Sequence, residues 1–184
     1  HGGGNTSVKS VSKNLIGEEI PVLYIKGSGW DLGKIEPLGH PAVKLEPLLK
    51  LKNLKTLTDE EMVAVQRQNL IDPNSPNPSV EALLHAFLPH KFVDHTHSIS
   101  ILAIADQPDA EKLFKKYFGK KLSIVPYVMP GFELALESNK AFIRDQKIAL
   151  EEGIELEGMV LIKHGLFTFG NTAKESYQRM INIV

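Results

Sequence analysis

Short apolar stretches bounded by glycine, proline and polar residues recur along the chain, and this pattern predicts its strands. Four stretches rich in β-branched or aromatic residues are typical of strands, and we place these at residues 21–26, 92–97, 122–127 and 159–163. The glycine-rich opening predicts a turn that leads into a further short strand by residue 10. The stretch 159–163 is the most apolar and is typical of a buried strand.

Capping residues and apolar spacing predict the helices between these strands. Thr58 and Thr172 each begin the pattern Thr-x-x-Glu, a capping box that starts a helix, and the first helix should run to about residue 69. Ser79 is the predicted N-cap of a helix over 80–88. Further helices are predicted at 109–118, ended by Gly119, and at 132–152. Interleaved strands and helices predict an α/β layered domain.

Three segments have a weaker or a different signal. Residues 45–57 are rich in leucine and lysine and fit a helical or mixed segment, whereas residues 98–105 fit helix and strand equally. The segment 72–78 carries three prolines and two asparagines, so it is predicted to be a loop.

Length and charge then restrict the class of protein. The 184 residues suit one domain with a sizeable core, which we place over residues 1–184. A formal net charge of −1 does not favour nucleic acid, and no apolar run is long enough to cross a membrane. No signal peptide opens the chain, so the cytoplasm is the expected location. Because the chain starts without methionine and stops just after a predicted helix, we expect truncation at both ends.

Histidines supply the candidate metal ligands. His95 and His97 form a His-x-His pair on a predicted strand, where side chains alternate and both imidazoles share one face. His164 follows an apolar strand and precedes a glycine, a position typical of site residues. Catalytic zinc commonly uses three protein ligands and keeps one position open. Cysteine is absent, so imidazole and carboxylate groups would have to hold the metal.

Glu81 is the candidate acid–base group. It is predicted to lie in the first turn of its helix, where the helix dipole favours a carboxylate, so a simple charge at a helix start is one interpretation. The other is a base beside a metal that removes a proton from carbon. His85 lies four residues later on the same helix face, and it either orients Glu81 or packs in the core.

Three glycine- or serine-containing segments could bind a phosphate group. Residues 2–7 and 26–29 offer free backbone N–H groups and short polar side chains, and Lys26 adds a cation. Ser79 adds a hydroxyl at a predicted helix N-terminus. Each segment is also consistent with an ordinary turn. None matches a phosphate loop of nucleotide hydrolases or a dinucleotide fingerprint, and no Gly-x-Ser-x-Gly elbow accompanies the His-Gly-Gly-Gly opening.

These motifs occur in one order along the chain, and together they resemble the class II aldolase/adducin family. They are the following: Gly-Gly-Asn-Thr-Ser from residue 3, Lys-Gly-Ser-Gly from 26, Pro-Ser-x-Glu from 78, His-x-His from 95 and His-Gly-Leu from 164. The residues that flank these motifs resemble the aldolase part of bifunctional rhamnulose-1-phosphate aldolase/dehydrogenase proteins, and this resemblance covers nearly the whole chain.

The resemblance implies a three-layer α/β/α sandwich with a mainly antiparallel central sheet, in a protein that forms homotetramers. It implies that His95, His97 and His164 bind Zn2+ and that Glu81 is the catalytic acid/base. It also implies a set of phosphate-binding residues, which comprises Gly4, Asn5, Ser28, Gly29 and Ser79. The expected reaction is retro-aldol cleavage of a ketose 1-phosphate, in which zinc holds the substrate oxygens while Glu81 moves the proton. The products would be dihydroxyacetone phosphate and an aldehyde.

Several alternatives stay open at this stage. Relatives in the family are epimerases and dehydratases, and adducin-type domains are non-catalytic assembly modules that lack the histidines. Imidazole ligands also suit iron, nickel or cobalt. Family aldolases use a tyrosine, for which Tyr127 and Tyr117 are the nearest candidates. The bifunctional relatives carry a dehydrogenase domain that would lie outside this chain.

Overall fold

The computed structural model describes residues 3–14 and 16–184, and a seven-stranded sheet forms the centre of this part of the chain. The strand order is β3-β2-β1-β4-β7-β6-β5. Every neighbouring pair is antiparallel except β5 and β6, which are parallel. The strands are β1 (Asn5–Lys13), β2 (Glu19–Ile25), β3 (Ala42–Lys44), β4 (Phe92–Thr96), β5 (Leu122–Val125), β6 (Gly158–Leu161) and β7 (Gly165–Gly170).

Helices fill the connections between these strands. They are α1 (Leu45–Lys50), α2 (Asp59–Gln68), α3 (Ala82–Phe87), α4 (Ile99–Ala105), α5 (Ala110–Phe118), α6 (Phe132–Glu151) and α7 (Ala173–Ile183). Two short 3-10 turns cover Pro37–Gly39 and Leu51–Asn53. Within the described residues, no helix combines the length and the apolar character needed to cross a membrane.

Two apolar clusters show that the sheet is the middle of three layers. Met159 and Leu161 of β6 and Phe167 of β7 belong to the larger cluster, together with residues of α1, α2, α3 and α6. Val160 and Leu166 point the other way and pack with α4, α5 and α7. Because successive side chains of a strand alternate between faces, each face of the sheet receives its own layer of helices. The predicted α/β/α sandwich with a mainly antiparallel sheet is confirmed.

Most predicted elements are present, and the undecided segment 98–105 is helix α4. Both capping boxes form. The Thr58 side chain accepts from the Glu61 backbone N–H, and the Glu61 side chain accepts from the Thr58 backbone N–H; Thr172 and Glu175 form the same pair of bonds. The sequence reasoning missed β3, which has only three residues, and β7. His1 and Gly2 of the predicted opening turn lie outside the described residues.

The start of α3 differs from the prediction. Glu81, not Ser79, is the N-cap residue, so Glu81 precedes the first helical turn. Ser79 is instead held in a turn, where its Oγ accepts from the Glu81 backbone N–H at 3.3 Å and its own N–H donates to the carbonyl of Lys26 at 3.0 Å. With Ser79 held in this turn, the helix begins at Ala82.

Two lysines secure the other end of α3. Lys9 of β1 donates to the carbonyl oxygens of His85 and His90, both at 2.8 Å, and Lys52 donates to the carbonyl oxygen of Phe87 at 2.9 Å. Cations are favourable where helical carbonyl groups lack partners. Burial, with a smaller effect of Lys52, lowers the pKa of Lys9 to about 7. The short helix that follows Glu81 is thereby attached to the sheet.

The capping box of α7 provides a test of this fold. Thr172→Ala removes the acceptor for the Glu175 N–H and should lower the free energy of unfolding by about 1 kcal/mol. Urea unfolding with an unchanged m-value measures this loss. Ser98→Ala is the matched control, because Ser98 is the N-cap of α4 but makes no side-chain capping bond. Equal losses of unfolding free energy in the two variants would contradict the capping box assigned to α7.

Candidate metal and catalytic site

His95 lies on β4, on the sheet face that α3 covers, and its ring orientation is fixed on two sides. It stacks on Phe167, its cross-strand neighbour on β7, with ring centroids 4.0 Å apart. Its Nδ1 lies 3.0 Å from the carbonyl oxygen of Leu166. A carbonyl oxygen can only accept, so Nδ1 carries the proton and Nε2 presents a lone pair. This is the arrangement that orients metal-binding histidines.

His97 and His164 converge on the same point. His97 lies just beyond the end of β4, and its Nε2 is 2.8 Å from Nε2 of His95. His164 lies in the tight turn that joins β6 to β7, where Lys163 adopts a positive φ of 59°. The His164 ring centroid is 5.2 Å from that of His95 and 5.0 Å from that of His97. The predicted trio of histidines is therefore one cluster.

Glu81 completes this cluster with one of its two carboxylate oxygens. Oε1 lies 3.0 Å from Nε2 of His164 and 3.4 Å from Nε2 of His95. Oε2 accepts a hydrogen bond of 2.5 Å from the side-chain amide of Asn5. The carboxylate is thus held by Oε2 and presents Oε1 to the imidazoles.

The four side chains fit a divalent transition metal. One ligand atom from each of Glu81, His95, His97 and His164 lies within 4.8 Å of the others. Glu81 Oε1 is buried and has no hydrogen-bond partner among the described residues. Leaving such an oxygen unpaired is costly, whereas a cation at the centre of the cluster would compensate it. Three imidazoles and a carboxylate suit zinc and also iron, nickel or cobalt.

The electrostatics favour the protonation states that a metal needs. Burial, supported by nearby His164 and His97, lowers the pKa of His95 to about 4 despite the opposing carboxylate of Glu81. Burial and His164 also lower the pKa of His97. For Glu81, burial alone would raise the pKa, but His95, His164 and the Asn5 hydrogen bond outweigh it and lower the pKa to about 2. Metal binding requires unprotonated imidazole and ionised carboxylate.

Glycines let the histidine-bearing segments approach one another. A Cβ added to Gly165 would lie 2.5 Å from the Thr96 carbonyl oxygen and 3.0 Å from ring atoms of both His95 and His97. A Cβ added to Gly4 would lie 2.7 Å from the carbonyl oxygen of His95. Only glycine fits at these distances, so the opening segment and the β6–β7 turn pack directly against the cluster.

The segments predicted to bind phosphate lie next to one another. Residues 26–28 run beside residues 77–79, because Ser28 N–H donates to the Asn77 carbonyl at 2.7 Å and Ser79 N–H donates to that of Lys26. Ser28 and Gly29 are exposed, and Gly29 has a φ of 83°. Burial lowers the pKa of Lys26, with Asp31 and Glu81 opposing the effect. The structure brings these segments to the Glu81 side of the sheet, and phosphate binding by them stays a prediction.

Asn5 and Ser79 have roles within the site that the sequence analysis did not identify. The Asn5 amide donates to Ser79 Oγ at 3.2 Å as well as to Glu81, and both side chains are buried. His85 contacts Asn5 and Ser7 rather than the Glu81 carboxylate. His85 is fully buried and packs edge-on against Phe167, as the core interpretation expects, and it is also linked to Glu81 through Asn5. The motif Asn5-Thr6-Ser7 could have indicated this contact, because Asn5 and Ser7 are alternate residues of a strand and therefore share a face.

The candidate tyrosines make their contacts elsewhere. The Tyr127 hydroxyl donates to the sulfur of Met129 at 3.6 Å, and Tyr117 lies beneath the ammonium group of Lys116 on α5. Both side chains are exposed. A catalytic role for either residue stays a prediction.

Comparison with known proteins agrees with the fold. The chain belongs to the class II aldolase family, because the family described as the class II aldolase and adducin N-terminal domain matches residues 1–184. The resemblance of its motifs to this family is therefore confirmed, while the rhamnulose-1-phosphate branch stays a proposal.

Individual relatives support the same assignment. A Bacillus subtilis (strain 168) protein named uncharacterized oxidoreductase YuxG is 37% identical over 187 residues, which cover 100% of this chain and 25% of that protein. The chain thus spans a quarter of the length of this relative. The N-terminal class II aldolase domain of a conserved Thermoplasma acidophilum protein is 42% identical, with a TM-score of 0.88 over 99% of this chain and 80% of that one.

A more distant structure shares the fold alone. The L-fuculose-1-phosphate aldolase from Thermus thermophilus is 18% identical, with a TM-score of 0.56 over 99% of this chain and 78% of that one.

The close approach at Gly165 generates a prediction about the cluster. Gly165→Ala should push the β6–β7 turn away from Thr96 and lower zinc affinity roughly 10-fold or more, as displacement of supporting groups does at metal sites. Competition with a chromogenic chelator measures this affinity. Gly33→Ala is the control, because its added Cβ would meet only an exposed Asp31 oxygen at 3.3 Å. Unchanged affinity in a folded Gly165→Ala protein would refute the proposed packing.

Proposed function

We propose that this chain is a metal-dependent lyase domain that cleaves a phosphorylated ketose by retro-aldol chemistry. The observation that carries the proposal is the unpartnered Oε1 of Glu81, buried within reach of the Nε2 atoms of His95 and His164. A base that exchanges a proton with carbon needs a free oxygen at the reacting centre. Membership of the class II aldolase family supports the same reaction class.

His95, His97 and His164 would hold the metal, and Glu81 Oε1 lies beside it. A bound divalent ion supplies a Lewis acid that polarises the substrate carbonyl group. Imidazole ligands suit Zn2+, which is the ion we propose. The exposed side of His97 leaves the cluster open toward solvent, where a substrate can enter.

Glu81 is the proposed acid–base catalyst. In the condensation direction, its carboxylate takes a proton through Oε1 from the carbon that forms the new bond. In the cleavage direction, the C4 hydroxyl gives its proton to water and becomes the aldehyde oxygen as the bond between C3 and C4 breaks. The electron pair of that bond stays on C3, and protonated Glu81 delivers a proton there, so the net change moves one proton from the C4 hydroxyl to C3. This gives dihydroxyacetone phosphate and an aldehyde, which is lactaldehyde for a 6-deoxyhexulose. The bond from Asn5 to Oε2 leaves Oε1 beside His95 and His164, where the reacting carbon would lie.

A phosphate group on the substrate would be bound by the neighbouring loops. We assign this role to Gly4 and Asn5, to Lys26, Ser28 and Gly29, and to Ser79. The Asn5 side chain already donates to Ser79 and Glu81, so Asn5 would contribute to a phosphate site through its backbone. Ser28 and Gly29 are exposed, so the Ser28 hydroxyl and the backbone at Gly29 are accessible to a phosphate group.

The substrate and the partner domain are proposed from similarity to other proteins. Rhamnulose 1-phosphate is the proposed substrate, because the motifs resemble the aldolase part of rhamnulose-1-phosphate aldolase/dehydrogenase proteins. The Bacillus relative named as an oxidoreductase is about four times as long as the matched region, which supports a fused dehydrogenase partner domain. A homotetramer is proposed on the family resemblance alone, and a cytoplasmic location stays the expectation drawn from the sequence.

Product analysis tests the proposed reaction. The protein is incubated with zinc and with rhamnulose 1-phosphate, fuculose 1-phosphate or ribulose 5-phosphate, and the products are identified by NMR. We expect dihydroxyacetone phosphate and lactaldehyde from rhamnulose 1-phosphate. Glu81→Gln should lower kcat at least ~100-fold, since it removes the acid–base group. Glu60→Gln, on an exposed turn of α2, is the matched control and should retain activity.

Each other outcome has a defined meaning. Inversion of a hydroxyl carbon without cleavage would identify an epimerase, and loss of water would identify a dehydratase. Full activity of Glu81→Gln would refute the assigned role of that carboxylate. No turnover of any sugar phosphate by the zinc-loaded protein would favour a non-catalytic assembly module.

A further inference from the structure

A buried histidine outside the metal cluster is linked to Glu81 through hydrogen bonds. His85 lies on α3, and its side chain is fully buried against β1. Its Nδ1 is 2.7 Å from the hydroxyl of Ser7, and its Nε2 is hydrogen-bonded to Oδ1 of Asn5. The Asn5 amide nitrogen in turn lies 2.5 Å from Glu81 Oε2. The relay, as we call these four residues, runs in the order Ser7, His85, Asn5 and Glu81.

The chemistry of the partners fixes the direction of every bond in the relay. An ionised carboxylate can only accept, so Asn5 must turn its NH2 group to Glu81 and its carbonyl oxygen to His85. That carbonyl also only accepts, so His85 must carry its proton on Nε2. Nδ1 is then an acceptor, and the Ser7 hydroxyl donates to it. Each member has one hydrogen-bonding arrangement that satisfies all of its neighbours.

Without the His85 donor, the Asn5 amide would have two orientations. Rotation by half a turn would exchange its nitrogen and oxygen and place Oδ1 against Glu81 Oε2. Two acceptors would then face each other, and Glu81 would lose the bond that holds its carboxylate. The N–H group of His85 opposes this rotation, because an inverted amide would present NH2 to an N–H donor.

We propose that His85 is a positioning residue, which fixes the Asn5 amide and so directs the free oxygen of Glu81 at the three-histidine cluster. This inference rests on the proposed function, in which Glu81 acts beside a metal. Mutation of a residue that orients a metal ligand or base without touching the metal commonly lowers metal affinity or activity 10–100-fold. His85 would have this effect without contacting metal or substrate.

His90 is a matched control within the same core. Its ring stacks on Phe169 with centroids 4.2 Å apart and meets Phe142 edge-on at 5.5 Å. Its Nδ1 is buried without a hydrogen-bond partner among the described residues. Substituting His90 therefore removes a half-buried imidazole that packs on two core rings but leaves the relay intact.

The first test needs neither metal nor substrate. Nitrogen NMR of the 15N-histidine-labelled, metal-free protein reports which ring nitrogen of His85 carries the proton. The relay requires a neutral ring protonated on Nε2, and the same tautomer in Ser7→Ala, because Asn5 Oδ1 still accepts from Nε2. A proton on Nδ1 in the wild-type protein would overturn the relay, since Asn5 Oδ1 would then face a lone pair.

The second test separates positioning from packing. Zinc affinity is compared among His85→Leu, His85→Gln and His90→Leu by chelator competition. We expect affinity to fall at least ~10-fold in His85→Leu and to recover largely in His85→Gln, whose amide can still donate to Asn5. His90→Leu should lose stability but keep its affinity. Equal affinities in all folded variants would overturn the proposal. If His85→Leu does not fold, the tautomer of His85 in the wild-type protein decides it alone.

Kinetics then distinguish the inference from the function on which it rests. If rhamnulose 1-phosphate is cleaved, His85→Leu should lower kcat at least ~10-fold and change KM little, because the defect lies in the base. An increase in KM with an unchanged kcat would count against a positioning role for His85. If the wild-type protein cleaves no sugar phosphate, the proposed function fails, whereas the tautomer and the affinity pattern still decide the role of His85.

Discussion

The burial of one ionised carboxylate oxygen is the constraint on which the site depends. Glu81 Oε1 is removed from water and has no hydrogen-bond donor among the described residues. An uncompensated charge of this kind is costly, so the surrounding groups must supply positive potential. Three imidazoles do so weakly when neutral and strongly when they share a divalent ion with the carboxylate. The same oxygen that makes the site costly is the one proposed to act as a base at a reacting carbon.

The rest of the fold serves to hold this oxygen where it is. Positions 5, 81, 95 and 164 are distant in sequence, and the β1-β4-β7 order of the antiparallel sheet brings three of these segments together. Gly165 allows the β6–β7 turn to reach Thr96, and the lysines at the end of α3 attach the helix that follows Glu81. The relay through Asn5 and His85 then fixes the rotation of the carboxylate.

Local patterns made much of this predictable. His95 and His97 were identified because strand alternation is a local rule, and His164 because an apolar strand ends beside it. The strand β7 was missed because residues 166–169 are all buried, so no polar alternation marks it. Ser79 was wrongly taken as a helix cap, because its hydrogen bond to Lys26 comes from a distant segment. The link from His85 to Asn5 spans 80 positions and depends on sheet register, which no local pattern encodes.

Elemental mass spectrometry of the purified protein tests the central claim most directly. The account predicts about one zinc ion, or one equivalent transition metal, per chain in the wild-type protein. It predicts loss of that metal in His97→Ala, whose exposed ring can be removed with little effect on the core, and its retention in His40→Ala, which lies outside the cluster. A wild-type protein that contains no metal and takes up none when zinc is added would contradict the account.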